Sequence, residues 1–297
     1  MISYKDCPCC AQNNIVPVFS AADYTVSQKL FEIWECKDCS LRFTQHVPGE
    51  EEIGAYYRSE NYISHSDTSQ GLVNKLYHRV RKRTLLQKKK LIISATGRQT
   101  GSLLDMGAGT GAFLHTMQRA GWQITGLEPD AAARSKAGEL YQLHLDIPEK
   151  LFSLPEQSFD AITMWHVLEH IHQLHDYLDR LKKLLKPEGR LIIAVPNYMC
   201  YDEKVYREYW AAYDVPRHLY HFSPDSMSRL LSLHGMKGIK MKPMWYDSFY
   251  VSLLSEKYKT GKSHILAALI TGAVSDLRAL FDIKKCSSVI YIVKPEN

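Results

Sequence analysis

A chain of 297 residues with 45% hydrophobic side chains can bury one full α/β core and still supply a small accessory module, so two domains are expected. The opening Met1-Ile2-Ser3-Tyr4-Lys5-Asp6 has no charged-then-apolar leader pattern, and no uncharged apolar run reaches the roughly 20 residues that span a bilayer. A cytoplasmic protein is expected. The net charge of +5 is local: eight basic residues and no acid lie between Lys75 and Lys90, which leaves the remainder at −3.

Residues 1 to 48 are irregular and rich in cysteine, with short strand candidates at 31–35 and 41–44, and Pro48-Gly49 closes the unit. Cys7-x-x-Cys10 and Cys36-x-x-Cys39 are two knuckles separated by 25 residues, a spacing that lets four thiolates close a tetrahedron around zinc. A closed all-cysteine site is structural, since it keeps no position for water, and so small a module needs such a staple. Residues 49–96 read as a helical connector. Its basic stretch, Lys75, Arg79, Arg81, Lys82, Arg83, Lys88, Lys89 and Lys90, is interleaved with Leu72, Leu76, Val80, Leu86 and Ile92. The pattern is an amphipathic helix, read first as a solvated connector and second as a contact for an anionic substrate, RNA or a membrane surface.

From 97 to 297 strand and helix runs alternate as in a doubly wound sheet. Strand candidates are 102–106, 122–127, 141–145, 159–164, 190–195, 236–242 and 287–293, and a helix from Leu174 to Leu185 stops before Pro187 and Gly189. The first strand leads into Asp105-Met106-Gly107-Ala108-Gly109-Thr110-Gly111, and Glu128 ends the second, followed by Pro129. Glycines after a buried strand let main-chain N–H groups approach a ligand at a helix N-terminus, and a carboxylate about 20 residues on can hold two ribose hydroxyls. Gly107-x-Gly109-x-x-Ala112 also fits a dinucleotide fingerprint. Asp105 would repel a pyrophosphate over the loop but suits the ammonium of a methionine moiety, so S-adenosylmethionine is favoured over a nicotinamide cofactor.

Two stretches interrupt the winding, about 197–224 and 246–285, and both are expected to cover substrate near the strand C-termini. Asp214-Val215-Pro216-Arg217-His218-Leu219-Tyr220-His221-Phe222-Ser223 carries the most chemistry outside the glycine loop. Arg217 suits an anionic group of the acceptor, and a loop histidine can take a proton at neutral pH. The alternative is that Ser223-Pro224-Asp225 caps a helix with the histidines packed behind it. His166-Val167-Leu168-Glu169-His170 matches a metalloprotease pattern, rejected because it follows a strand of a nucleotide-type sheet. The apolar run Ile265 to Phe281, cut by Asp276 and Arg278, reads as a substrate-covering or core helix, with interfacial contact as the other option.

Asp105-x-Gly107-x-Gly109-x-Gly111, Glu128-Pro129, the run Phe159 to His170, Lys186-Pro187-x-Gly189 and Val195-Pro196-Asn197 together resemble class I S-adenosylmethionine-dependent methyltransferases. The likeness covers about two thirds of the chain. It implies a Rossmann-like α/β sheet of seven strands, the last antiparallel. The cysteine knuckles ahead of it resemble the zinc ribbons of bacterial methyltransferases, some of which act on sugar nucleotides. By position, the resemblance puts Asp105, Gly107, Ala108, Gly109 and Gly111 under the methionine and ribose, Glu128 and Pro129 at the ribose, Asp146 near adenine, and Trp165 and His166 by the sulfonium. The end of the Asp214–Ser223 stretch resembles sugar C-methyltransferases and makes His218 the base, with Arg217 where they have glutamate. Small-RNA 2′-O-methyltransferases carry a comparable segment that binds a divalent ion, which makes His166, Glu169, His170 and His221 a candidate set for a second metal. The expected activity is methyl transfer to an O or C nucleophile of a small acceptor: a sugar nucleotide, quinol or lipid precursor. An RNA methyltransferase, or a non-catalytic RNA- or protein-binding module on the same fold, is the alternative.

Overall fold

The computed structural model describes residues 1–57, 72–262 and 264–296, with backbone alone for 72–79. Lys75, Arg79, Leu72 and Leu76 of the basic helix, and residues 58–71 of the connector, therefore lie outside the described side chains or residues. In chain order the elements are β1 (Ile15–Ala22), β2 (Leu30–Cys36), β3 (Arg42–Thr44), α1 (Glu50–Ile53), α2 (Leu72–Thr96), β4 (Ser102–Met106), α3 (Ala112–Gln118), β5 (Gln123–Leu127), α4 (Ala131–Tyr141), β6 (Phe159–Trp165), α5 (Leu174–Leu184), β7 (Leu185–Pro196), α6 (Tyr201–Tyr206), β8 (Tyr220–His221), α7 (Pro224–Leu233), β9 (Met236–Pro243), α8 (Asp247–Thr260), α9 (Ile265–Phe281) and β10 (Ser288–Pro295). Strands lie in two sheets, of order β1-β2-β3-β8 and β5-β4-β6-β7-β10-β9.

The chain divides into two compact units. One comprises 64–165, 175–193 and 292–297 and carries the nucleotide-type winding. There β4 pairs in parallel with β5 on one side and β6 on the other. All seven residues of β6 are buried, as expected of a strand covered on both faces. Helix α3 lies close on β5: a Cβ on Gly126 would come within 2.4 Å of Leu114 and 2.5 Å of Leu145. Asp130 caps α4 by accepting the Ala132 N–H at 2.8 Å. The third expected strand, 141–145, does not form. Helix α4 runs on to Tyr141 with Gln142 as its left-handed cap, and the segment that follows touches the sheet through one parallel bridge, Leu127 to Asp146.

The other unit comprises 1–63, 166–174 and 194–291. Here the expected boundary at 48 is corrected. Strand β3 pairs antiparallel with β2 on one edge and with β8 on the other, Arg42 opposite His221 and Phe43 opposite Tyr220. The apolar face of the β1–β2 hairpin, with Ala21, Phe31 and Ile33, shares one core with Tyr198, Tyr206, Trp210, Tyr213 and Val215 from the first insertion. A module of fewer than 50 residues has too little interior of its own, and this insertion supplies the missing layer. The 197–224 stretch thus builds the N-terminal unit rather than serving as a loose cover. Ser223 and Ser226 form a reciprocal cap on α7 with Pro224 in its first turn, so the capping reading of that end is met.

Candidate active site and metal centres

The turn after β4 is held by the Gly107 and Ala108 N–H groups, which both donate to the Leu127 carbonyl at 2.8 and 3.0 Å. Gly107, Gly109 and Gly111 have φ of 67°, 55° and 78°, which a Cβ disfavours. The space above Gly109 is open, with nothing within 4 Å of where a Cβ would stand. Glu128, 7% exposed, lines this turn. Its Oε2 accepts the Gly109 N–H at 2.7 Å and its Oε1 the Asp130 N–H at 2.9 Å, which fixes the carboxylate and leaves each oxygen a second lone pair. Burial pushes the Glu128 carboxyl above its usual range. Pro129 contributes its carbonyl to Arg134 at 2.7 Å, which braces the turn.

Asp105 is buried, and its Oδ1 accepts the Thr163 hydroxyl at 2.5 Å. Burial pushes its carboxyl up to about 7, against the pull of the Thr163 hydrogen bond and the Lys88 charge. Lys88, read from sequence only as one of a basic run, has its Nζ 4.1 Å from the Trp165 ring centroid, and Thr163 was not singled out. Only a structure shows that α2 brings a cation to this strand end. Trp165 packs edge-on to Phe113, and its buried Nε1 has no hydrogen-bond partner among the described residues. Asp146 sits at the Leu127 bridge and pairs with exposed His144 at 3.4 Å. An open glycine turn, a fixed carboxylate with spare lone pairs and a second buried carboxyl fit a ligand with a diol and an ammonium.

In the other unit, the sulfurs of Cys7, Cys10, Cys36 and Cys39 all lie within 4.8 Å of one another, Cys7–Cys39 at 3.5 Å and Cys10–Cys36 at 3.6 Å. A tetrahedron of thiolates on zinc has edges of about 3.8 Å, so the donor set fits such a metal. Burial pushes the Cys10 thiol up to about 11. Cys9 is outside this set of four: its N–H donates to the Cys7 sulfur at 3.4 Å and its Sγ lies near the Ser226 carbonyl.

The sequence-selected histidines separate. His166, at φ 57°, is held between Glu169 Oε1 at 3.2 Å and Asp247 Oδ2 at 3.0 Å. Burial opposes its charge, but the two carboxylates outweigh it and hold the ring at about 10. His166 is thereby held as a cation at neutral pH, with both ring nitrogens committed to carboxylates, so it is not free to ligate a second metal. His221 is also corrected: its Nε2 meets the Thr44 hydroxyl at 3.0 Å under β3, and burial holds it well below its usual range. Arg217, 1% exposed, has its guanidinium on Asp214 (3.0 and 2.6 Å), Asp23 (3.1 Å) and the Tyr56 carbonyl (2.9 Å). With those partners it has no fork to offer an acceptor anion, and that expectation falls.

Glu169, His170 and His218 instead come together, one ligand atom of each within 4.8 Å of the others, so the expected set with His166 and His221 is replaced. His170 Nδ1 faces the Arg217 carbonyl at 3.0 Å and His218 Nδ1 the Ala212 carbonyl at 2.8 Å. A carbonyl only accepts, so His218 Nδ1 carries a proton, while His170 Nδ1 also lies 3.0 Å from the Tyr57 hydroxyl, which can either donate to it or share its proton. Glu169 is fully buried, and its Oε2 has no hydrogen-bond partner among the described residues. Burial above all lowers His170 to about 4, which keeps that ring neutral.

A family model described as a methyltransferase domain matches residues 77–240, more than half of the chain. The chain belongs to the methyltransferase domain family. Among curated relatives, a demethylmenaquinone methyltransferase of Tropheryma whipplei is 32% identical over 95 residues, 31% of this chain and 40% of that protein. A ubiquinone biosynthesis O-methyltransferase of Rhodopseudomonas palustris is 30% identical over 101 residues, 32% of this chain and 40% of the relative. The chain thus matches about 40% of the length of these relatives. A SAM-dependent methyltransferase from Archaeoglobus fulgidus superposes with a TM-score of 0.50 at 18% identity, covering 73% of this chain and 94% of that one, which shows the shared fold.

Proposed function

We propose that this protein transfers the methyl group of S-adenosylmethionine to an O or C nucleophile of a small acceptor, with a quinol-type ring the favoured class. The carrying observation is Glu128, fixed by two main-chain N–H groups across an open glycine turn. Bound there, S-adenosylmethionine supplies an electrophilic methyl on a sulfonium. Glu128 would accept the ribose hydroxyls, and Asp105, as a carboxylate once its proton has passed to solvent, would hold the ammonium of the amino acid end. The quinol preference is supported by the names of the two curated relatives. Sugar nucleotides and lipid precursors are the competing acceptors.

Proton removal from the acceptor falls to Nε2 of His218, whose Nδ1 proton is tied to Ala212. A second reading is favoured by the partnerless Glu169 Oε2: a divalent ion on Glu169, His170 and His218 would polarise the acceptor oxygen instead. The four cysteines hold zinc as a structural staple. Tritiated methyl transfer from S-adenosylmethionine into an extract separated into quinols, sugar nucleotides, lipids and RNA tests the whole reading. Label in the quinol fraction is expected. Label in RNA moves the assignment to the alternative acceptor, and tight NAD binding with no label anywhere overturns it.

A further inference from the structure

Helix α9 packs inside out. Its buried residues are small, Ala268, Gly272, Ser275 and Ala279, and a Cβ on Gly272 would stand 2.8 Å from the Phe249 ring, so α8 and α9 approach at backbone distance. Its large apolar residues point away: Ile265, Leu266, Leu269, Ile270, Leu277, Leu280 and Phe281 are all exposed, Leu266 at 73% and Phe281 at 92%. At about 100° per residue these seven fall within an arc of roughly 160°. The hydrophobic term that buries such side chains is unspent within the unit, and an apolar patch of this size marks a contact surface.

The charge around the helix selects the partner. Between Lys257 and Lys285 six basic residues stand against two acidic ones, a net of +4. One acid, Asp276, accepts the Ser248 hydroxyl at 2.7 Å, and the other, Asp282, caps the turn at Lys284. Exposed Lys257, Lys259 and Lys262 precede α9, and exposed Lys284, 3.7 Å from Asp225, and half-buried Lys285 follow it, so cations bracket both ends of the apolar arc. Self-pairing of this face about a two-fold axis would place lysine-rich end against lysine-rich end. A negatively charged bilayer surface meets both features at once, with the apolar arc at the acyl boundary and the lysines at the headgroups. No described helix is long and apolar enough to cross a membrane, so the contact is interfacial. We propose that α9 seats the protein on anionic lipid surfaces.

The test is cosedimentation of the full chain with vesicles of phosphatidylcholine, with and without about 30 mol% phosphatidylglycerol. Binding at least about 10-fold tighter to the anionic vesicles, weakened by high salt, is expected. The triple variant Leu266→Glu/Ile270→Glu/Phe281→Glu should lose binding and keep its melting temperature. If it melts early, Lys257→Glu/Lys262→Glu, exposed at the last turn of α8 and in the α8–α9 turn, should cut anionic binding to the neutral-vesicle level. No sedimentation with anionic vesicles overturns the proposal, as does a variant series that binds like the native chain. A concentration-dependent dimer dispersed by the triple variant, without vesicle binding, would assign the face to self-association instead. None of these outcomes depends on methyl transfer.

Discussion

Replacing Arg217 with Met is the perturbation that most sharply separates a buried brace from an acceptor-binding residue. Four of the guanidinium's hydrogen bonds are 3.1 Å or shorter, three of them to carboxylates, and all of it is sealed from water. At about 1.5 to 3 kcal/mol per charge-assisted bond, simple addition would give about 6 to 12 kcal/mol. That sum is too large because the two acids differ. Asp23 keeps the Thr25, Val26 and Ser27 N–H groups and the Thr25 hydroxyl, so its charge stays solvated by the chain. Asp214 loses a bidentate partner and retains only His218 at 4.0 Å. One stranded carboxylate corresponds to the about 3 to 5 kcal/mol found when a buried pair is broken, and that is the expected loss. Chemical denaturation followed by the fluorescence of the buried Trp210, which shares this unit's core, reads it directly. Arg217→Lys should recover part of the loss, since an ammonium reaches one acid but not the fork. A midpoint within about 0.5 kcal/mol of the native protein, together with a raised acceptor KM, would refute the reasoning and restore Arg217 to the acceptor.

Purified without chelator, the protein should carry one zinc per chain by metal analysis. Stripping it should remove hydrogen-exchange protection from β8 as well as from residues 1–48, whereas loss confined to 1–48 would show a separately folding module. Glu128→Ala should weaken S-adenosylmethionine binding by about 2 to 4 kcal/mol, roughly 30- to 1,000-fold by calorimetry, and unchanged affinity would remove the residue from the cofactor site. His166 is raised from 6.5 to about 10, so its stabilisation is complete below pH 6.5 and is lost as pH rises through 10. His166→Asn should flatten the fall in melting temperature across that window, and an identical slope in both proteins would show that the ring is not held as a cation.

The glycine turn, Glu128 and the parallel strands were legible because their signals are local: a strand, a turn and a helix start lie within a dozen residues. The cysteine knuckles were legible for the same reason, two short spacings with a known donor chemistry. The pairing of β3 with β8 was not, since nothing in the periodicity of Arg42–Thr44 names Tyr220–His221 as its edge. Arg217 failed on burial: a loop arginine reads as a ligand group until the structure sets Asp23 against it. Helix α9 shows a further limit. Its sequence announces an amphipathic helix, but whether the small face or the large face turns inward depends on α8, which has Phe249 at the one position where only a glycine can face it.

The histidine cluster gains its meaning from counting protons rather than from the motif that first drew attention to it. Glu169 binds cationic His166 through Oε1, so it remains a carboxylate, and that pair holds its carboxyl below the ordinary range against the opposing effect of burial. One of its oxygens and one ring nitrogen each of His170 and His218 lie within 4.8 Å of one another. A carboxylate gathered with two ring nitrogens is held by a shared positive charge, supplied either by a proton on one ring or by a metal ion. A proton makes His218 the acid–base group, and a metal makes it a ligand. Glu169→Gln divides the two: an amide can donate to a neutral ring but is a poorer partner for a divalent ion. Under the proton reading this variant should shift the pH profile of methyl transfer with no response to added metal. Under the metal reading it should lower turnover at every pH and regain part of it as magnesium or manganese is raised.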